Sequence, residues 1–204
     1  MKMKRKLILT VGLLAVMVGT ISLHAQDLSQ SAKRKKHRFS IYTGLGPNFY
    51  FNNLEVSKQY VREFNFAFVT RFMWEPGHNL SLGLETGYNG LYSIKENPTV
   101  VSQVKISNAV IPIQLVISMK FLQDFYGSFT MGQSILLNKV YTKTPIGEQR
   151  STATNLSLGD FGLAAGYKKS ISPKIYLGAE IKGFYSSKLD DKNLGLVFLT
   201  GFRL

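Results

Sequence analysis

The side chains that could carry catalysis are few in this sequence and stand far apart. There is no cysteine, which excludes a thiolate nucleophile, a disulfide framework and thiolate ligation of zinc or iron–sulfur clusters. Histidine is the natural general base near neutral pH, but His37 lies in a basic segment and His78 in a predicted turn. Neither stands beside a serine or an acid on a strand, so no Ser–His pair can be drawn.

Two acids leave one catalytic alternative open. Glu85 and Asp160 could form an acid–base site of the kind used by lipid A-modifying barrel enzymes. Without a histidine partner the pair gives little support to catalysis, and we expect no enzyme activity. No His, Asp and Glu cluster has ligand spacing, so we expect neither a metal site nor a cofactor.

Six charged residues recur in segments otherwise built of small and apolar side chains. They are Arg71, Glu85, Asp160, Glu180, Lys182 and Arg203. Because three are basic and three acidic, they can neutralise one another in a narrow, dry interior. We interpret them as a structural charge network that plugs such an interior, with an ion path or gate as the alternative.

The elements that must position these charges are β-strands. From Phe39 onward large apolar residues alternate with small or polar ones, which is the strand pattern. Eight such runs begin near residues 39, 63, 80, 104, 125, 154, 174 and 193. Long polar loops are predicted at 52–62, 95–103, 138–154 and 186–192, and tight turns at 75–79 and 169–174. Long loops at one end and short turns at the other are typical of bacterial outer-membrane barrels.

The two faces of the strands differ in a way that favours a membrane protein. One face is large and apolar, while the other is glycine-rich and carries the six charges. A soluble barrel would turn its bulky residues inward, whereas the narrow lumen of eight strands suits small residues and paired charges. The sequence therefore predicts an all-β fold, an eight-stranded antiparallel up-and-down transmembrane β-barrel over residues 39–204, with both termini periplasmic. A secreted β-sandwich or lipocalin-like barrel is the alternative.

The first 38 residues carry targeting and charge. A basic n-region is followed by an uncharged apolar run that ends in Leu23-His24-Ala25, so residues 1–25 are predicted to be a signal peptide cleaved after Ala25. An uncleaved anchor is the alternative. Residues 26–38 form a basic periplasmic segment with five Lys or Arg between positions 33 and 38. Because much of the net charge of +13 is concentrated at this end, we expect no nucleic-acid partner.

Several short motifs resemble the PorT-like outer-membrane β-barrel family. The leader ends in Ala25-Gln26, and a strand in mid-chain reads Asn108-Ala109-Val110-Ile111-Pro112-Ile113-Gln114-Leu115. A later strand has an Asp-x-Gly-x-x-x-Gly pattern at Asp160-Phe161-Gly162-Leu163-Ala164-Ala165-Gly166, and the chain ends in Gly201-Phe202-Arg203-Leu204. The resemblance implies residence in the outer membrane of a Gram-negative cell and, for some relatives, a part in a secretion apparatus.

The expected function is therefore that of a non-enzymatic structural or secretion-associated membrane component. A small pore is an alternative, as is the lipid A-modifying enzyme. The expected partners are the barrel assembly machinery during insertion, secretion-system components, and outer-membrane lipids including lipopolysaccharide. Five basic residues of the long loops, Lys95, Lys105, Lys139, Lys143 and Arg150, could contact lipopolysaccharide phosphates. Ordinary solvated loop residues are the equal alternative.

Overall fold

The computed structural model describes residues 37–51, 60–99 and 102–204. The predicted signal peptide, its cleavage after Ala25, and residues 26–36 of the basic segment lie outside these ranges. The strands are β1 (Arg38–Phe51), β2 (Val61–Arg62), β3 (Phe64–Glu75), β4 (Leu80–Thr99), β5 (Ser102–Lys120), β6 (Phe125–Thr144), β7 (Gly147–Ser170), β8 (Ile175–Ser186) and β9 (Asp191–Arg203). Within the described ranges, no helix is long and apolar enough to cross a membrane.

Eight of these strands form a closed ring. The order β4-β3-β1-β9-β8-β7-β6-β5 is completed by pairing of β4 with β5, and every pairing is antiparallel. The short β2 only adds two residues to the outer part of β4. Closure gives the amides of each strand a partner, which a hydrocarbon environment requires. The predicted eight-stranded antiparallel barrel is confirmed.

The strands turn most of their bulky apolar residues outward, while their small and charged residues and a smaller set of apolar residues face into the ring. On β1, Leu45 is 63% exposed whereas Ser40 is fully buried. The buried apolar residues inside form three clusters, of Tyr50, Leu91, Val110, Leu136 and Phe184, of Tyr42, Met73, Val116 and Tyr176, and of Val69, Tyr126, Val197 and Leu199. The apolar exterior is the surface that a membrane barrel presents to lipid, as the alternation predicts.

Short turns and extended hairpins lie at opposite ends of the ring. Residues 76–79, 121–124 and 171–174 connect strands at the end where β1 begins and β9 ends, which is the predicted short-turn end. The predicted loops 95–103 and 138–154 are wrong, because β4 continues to Thr99 and β6 pairs with β7 as far as Thr144 and Gly147. Above the membrane a strand has no lipid to face, so polar residues there remain compatible with a sheet.

A β-bulge on β7 changes which residues face outward. Gly132 pairs with Asp160 and Gln133 with Leu158, which leaves Gly159 as the extra residue. Its φ of 80° lies in the left-handed region that favours glycine. The bulge lets Asp160 point into the ring while Leu158 remains exposed on the lipid side.

Candidate functional site

Four of the six predicted charges meet in one network inside the ring. Arg71 donates through Nε to Glu85 Oε2 at 2.5 Å, and through Nη1 and Nη2 to the two carboxylate oxygens of Glu180, both at 2.6 Å. Lys182 donates to the other oxygen of Glu85. Two cations thus face two carboxylates, and the network is electrically neutral.

This network crosses the lumen from one wall to another. Arg71 on β3 and Glu85 on β4 are directly paired across neighbouring strands. Glu180 and Lys182 lie on β8, which β1 and β9 separate from β3 in the ring. All four residues are less than 8% exposed. Because the bidentate Arg71–Glu180 contact joins β3 to β8 directly, it restrains the two walls of the barrel against each other.

A tyrosine and a glycine complete the surroundings of Glu180. The Tyr126 hydroxyl donates to Glu180 Oε2 at 2.7 Å, so this oxygen accepts from a tyrosine as well as from Arg71. Gly166 on β7 leaves room for the tyrosine, since a Cβ at this position would lie 2.7 Å from the Tyr126 hydroxyl oxygen. A glycine of the small-residue face is thus required for a close approach inside the lumen.

The other two predicted charges lie outside this network. Asp160 is fully buried and accepts hydrogen bonds through Oδ1 from the Ser157 hydroxyl at 2.6 Å and the Ser187 backbone amide at 2.9 Å. Arg203 donates to the Pro173 carbonyl oxygen at 3.1 Å and stacks over the Tyr176 ring at 4.7 Å. Asp160 therefore ties the β7 bulge to the turn before β9, and Arg203 ties the end of the chain to a short turn.

A second buried ion pair was not predicted from the sequence. Lys168 on β7 donates to Glu75 Oε1 at 3.0 Å, and Glu75 also accepts from the Tyr42 hydroxyl at 2.7 Å and the Ser40 hydroxyl at 3.1 Å. The sequence predicts a tight turn at Glu75, whereas this residue is the last one of β3. The alternation alone predicts that both side chains face inward. Glu75 lies on the same face of β3 as Arg71, and Lys168 lies on the same face of β7 as Asp160 and Gly166.

Side chains fill the central part of the lumen. At the end with extended hairpins, the Tyr50 hydroxyl donates to Asp191 at 2.5 Å. Around the central network, two cavities measure about 10 and 20 Å³, the first lined in part by Glu85 and Lys182 and the second by Arg71 and Lys168. Each has room for about one water molecule. Around the central network, the described side chains therefore occupy the narrow interior that eight strands enclose.

The geometry offers little to acid–base chemistry. Both carboxylate oxygens of Glu85 are engaged by cations, and Asp160 has separate partners. His37 stacks on Trp74 with ring centroids 5.7 Å apart, and His78 accepts the Leu80 amide through Nδ1. Over the described part of the chain, no three His, Asp or Glu side chains are grouped to hold a metal.

The ring and its inside-out polarity define the class of the protein, an integral β-barrel of the outer-membrane type. Similar solved structures share this fold. The attachment invasion locus protein Ail of Yersinia pestis is 12% identical, with a TM-score of 0.50 over 83% of this chain and 99% of that chain. Neisserial surface protein A has a TM-score of 0.45 at 12% identity, over 80% of this chain and 96% of that one. The N-terminal barrel domain of Pseudomonas aeruginosa OprF has a TM-score of 0.40 at 12% identity, over 83% and 100%.

Comparisons of sequence add no family. No protein-family model matches the chain, and no curated protein matches it. At 12% identity the structural likeness shows the fold alone. The chain is an outer-membrane β-barrel protein by that fold and by its lipid-facing exterior.

Proposed function

We propose that this protein is a non-enzymatic barrel with a sealed lumen that serves as a structural or secretion-associated component of the outer membrane, as PorT-like proteins do. The filled lumen carries this proposal. Arg71, Glu85, Glu180 and Lys182 neutralise one another across the ring, so within the described residues these four charges are engaged with one another and block the centre of the lumen. Such a barrel acts through its surfaces.

The motifs that resemble the PorT-like family support the secretion-associated role. In the structure these residues hold the barrel together: Pro112 is fully buried in the lumen, Asp160 anchors the bulge, and a Cβ at Gly201 would lie 2.4 Å from the Tyr42 ring. The motifs that carry the resemblance thus consist of residues with structural roles in this barrel. The resemblance also suggests the secretion apparatus and the barrel assembly machinery as candidate partners.

The periplasmic turns offer a surface for such a partner. Two apolar side chains of these turns, Leu122 and Ile171, are 63% and 62% exposed. They lie in the turns beyond the strand ends, and we take them as candidate contact points for a partner protein. A partner of the secretion apparatus would meet the barrel at this end, where both of its termini also lie.

Co-purification after gentle detergent extraction tests the secretion-associated role. We expect the tagged protein to retain a stable envelope partner, and the Leu122→Ser/Ile171→Ser variant to lose it. The Ile146→Ser variant is the control, since Ile146 is 98% exposed at the opposite end and should keep the partner. Recovery of the barrel alone, with no partner in any sample, would contradict the secretion-associated role. The remaining interpretation would then be a structural barrel that acts without a partner.

Lipid analysis tests the non-enzymatic part of the proposal. Expression of the protein should leave the mass spectrum of lipid A unchanged, because both oxygens of Glu85 are bound by cations. A new lipid A species that disappears with Glu85→Gln or Asp160→Asn would overturn the proposal in favour of the lipid-modifying enzyme.

A further inference from the structure

The sheet that extends above the membrane carries its basic residues on one face. Directly paired residues share a face of a sheet, and one row of pairs joins Lys95, Lys105, Tyr141 and Arg150 across β4, β5, β6 and β7. Adjacent rows on the same face add Lys139, paired with Ser107 and Thr152, and Lys143, paired with Gln103 and Glu148. We refer to Lys95, Lys105, Lys139, Lys143 and Arg150 as the cationic face; all five are exposed.

The opposite face of the same sheet is uncharged over β5, β6 and β7. Its rows consist of Val104, Thr142 and Gln149, of Ile106, Val140 and Ser151, and of Asn108, Asn138 and Ala153. A solvated loop region has no reason to sort its charges in this way, because both faces of an extended sheet above the membrane meet water. The one-sided distribution indicates that the two faces have different surroundings.

The cationic face continues the lipid-facing surface of the barrel. Below Lys139 on β6 the same face carries Leu137 and Ile135, beside Ala109 and Ile111 of β5. Lys139 lies two positions from Leu137, which is about 7 Å along a strand. From Met119 to Ala109 the outward face of β5 runs for ten residues, and at the usual tilt this gives a height of about 25 Å, which matches the apolar band of outer-membrane barrels. The cations therefore lie where the hydrocarbon ends.

Most of the cationic face lacks internal neutralisation. Lys143 pairs with Glu148 at 3.4 Å, and hydrogen bonds from Tyr141 and Lys143 lower the pKa of Glu148. By contrast, Lys105, Lys139 and Arg150 form no ion pair with any residue that the structure describes. These three line an open cleft of about 380 Å³, with Arg150 over the Tyr141 ring at 5.3 Å. Three unpaired cations around one cleft form a site for a multiply charged anion.

We propose that the cationic face binds the phosphate groups of a phosphorylated outer-leaflet glycolipid, with Lys105, Lys139 and Arg150 as its principal contacts. The ligand lies beside the barrel, not above it, because the cleft opens on the same side as Ile135 and Leu137. Its phosphates lie in the cleft while its acyl chains pack along the apolar residues below. This inference requires only the barrel and its orientation, and it does not depend on a secretion-associated role.

Lipid retention in nanodiscs tests the proposal. The folded protein is placed in phosphatidylcholine nanodiscs that contain phosphorylated lipid A, and the bound lipid A is measured by native mass spectrometry. Each basic residue near an anionic membrane surface contributes about fivefold to binding, so Lys105→Gln/Lys139→Gln/Arg150→Gln should weaken retention roughly 100-fold. The matched control is Arg38→Gln/Lys169→Gln/Lys174→Gln, which removes three exposed cations at the periplasmic end and should retain lipid A as the wild type does.

Two further samples identify the source of the phosphate. We call Lys105→Gln/Lys139→Gln/Arg150→Gln the cleft variant. The wild type should retain dephosphorylated lipid A no better than the cleft variant retains phosphorylated lipid A. Soluble tripolyphosphate, offered to the protein in nanodiscs without lipid A, should bind much more weakly than the lipid. Equal retention by the cleft variant and the wild type would overturn the proposal, and so would tripolyphosphate binding as tight as that of lipid A, since the site would then serve a soluble polyanion.

Discussion

At the scale of single residues, Arg71 is the side chain on which the lumen network depends. Among the residues that the structure describes, it alone forms ion pairs with both Glu85 and Glu180. Its replacement leaves the buried Glu180 with the Tyr126 hydroxyl as its described side-chain donor. We expect Arg71→Met to lower the free energy of unfolding by about 3–5 kcal/mol, the usual cost of breaking a buried ion pair from one side. Urea titration of the protein in lipid vesicles, followed by tryptophan fluorescence and gel mobility, measures this change.

Arg203 provides the matched control for Arg71. It also points toward the interior, but it contacts only a carbonyl oxygen and the Tyr176 ring. We expect Arg203→Met to cost about 1 kcal/mol, which is typical of a cation–π contact at a partly exposed site. Equal losses for the two arginine variants would contradict a network centred on Arg71.

The Tyr126 hydroxyl makes a second, smaller contribution. Tyr126→Phe removes its hydrogen bond to Glu180 and keeps the ring in place, so we expect a loss of about 1–3 kcal/mol in the free energy of unfolding. The control is Tyr167→Phe, whose hydroxyl makes an exposed 3.3 Å contact to Asp124 and whose change should stay within about 0.5 kcal/mol. The same urea titration compares the two variants, and a Tyr126→Phe protein as stable as the wild type would contradict the assigned contact.

Alternation along each strand predicts which charges face inward but not which of them meet. Arg71 and Arg203 have the same inward position in the pattern, yet only Arg71 reaches the acids. The difference lies in their height along the barrel, which depends on the stagger of all eight strands and on closure between β4 and β5. The alternation places Glu75 inward as well, but the Pro-Gly sequence that follows it indicates a turn, and the pairing of Glu75 with Lys168 cannot be read from the pattern.

At the scale of elements, the β7 bulge depends on Gly159. A side chain at its φ of 80° costs about 1–2 kcal/mol, so Gly159→Ala should lower the free energy of unfolding by that amount. Gly127→Ala is the control, because a Cβ there would meet its nearest neighbours at ordinary contact distances of 3.7 and 3.8 Å. Urea titration of both variants tests this, and a Gly159→Ala variant as stable as the wild type would contradict the dependence of the bulge on a glycine at this position.

The strands within the membrane were predictable because their pattern is forced by two different surroundings. Lipid outside and a narrow lumen inside require opposite residue types at alternate positions, and all eight strands show this. Outside the membrane the requirement ends, so the outer parts of β4 to β7 read as polar loops although their backbones remain paired. The cationic face was visible as charges in the sequence, but its one-sided arrangement follows only from the register of these strands.

At the scale of the whole molecule, the barrel combines an apolar exterior with a lumen whose central part is filled by the described side chains. Three apolar clusters and two buried ion-pair groups occupy the lumen, and the cavities around the central network measure only about 10 and 20 Å³. An ion that crossed would have to displace Arg71 from its carboxylates, leaving charges unpaired in a medium of low dielectric constant. The fold therefore predicts an insulating barrel.

Single-channel recording in a planar lipid bilayer tests this central claim most directly. The sample is the folded wild-type monomer, with its folded state verified by gel mobility before and after heating, and an empty-detergent addition serves as the control. The sealed lumen predicts a current that stays at the baseline of the bare bilayer across the range of applied voltage. A steady open level that recurs from one insertion to the next would contradict the sealed lumen and identify the protein as a small pore.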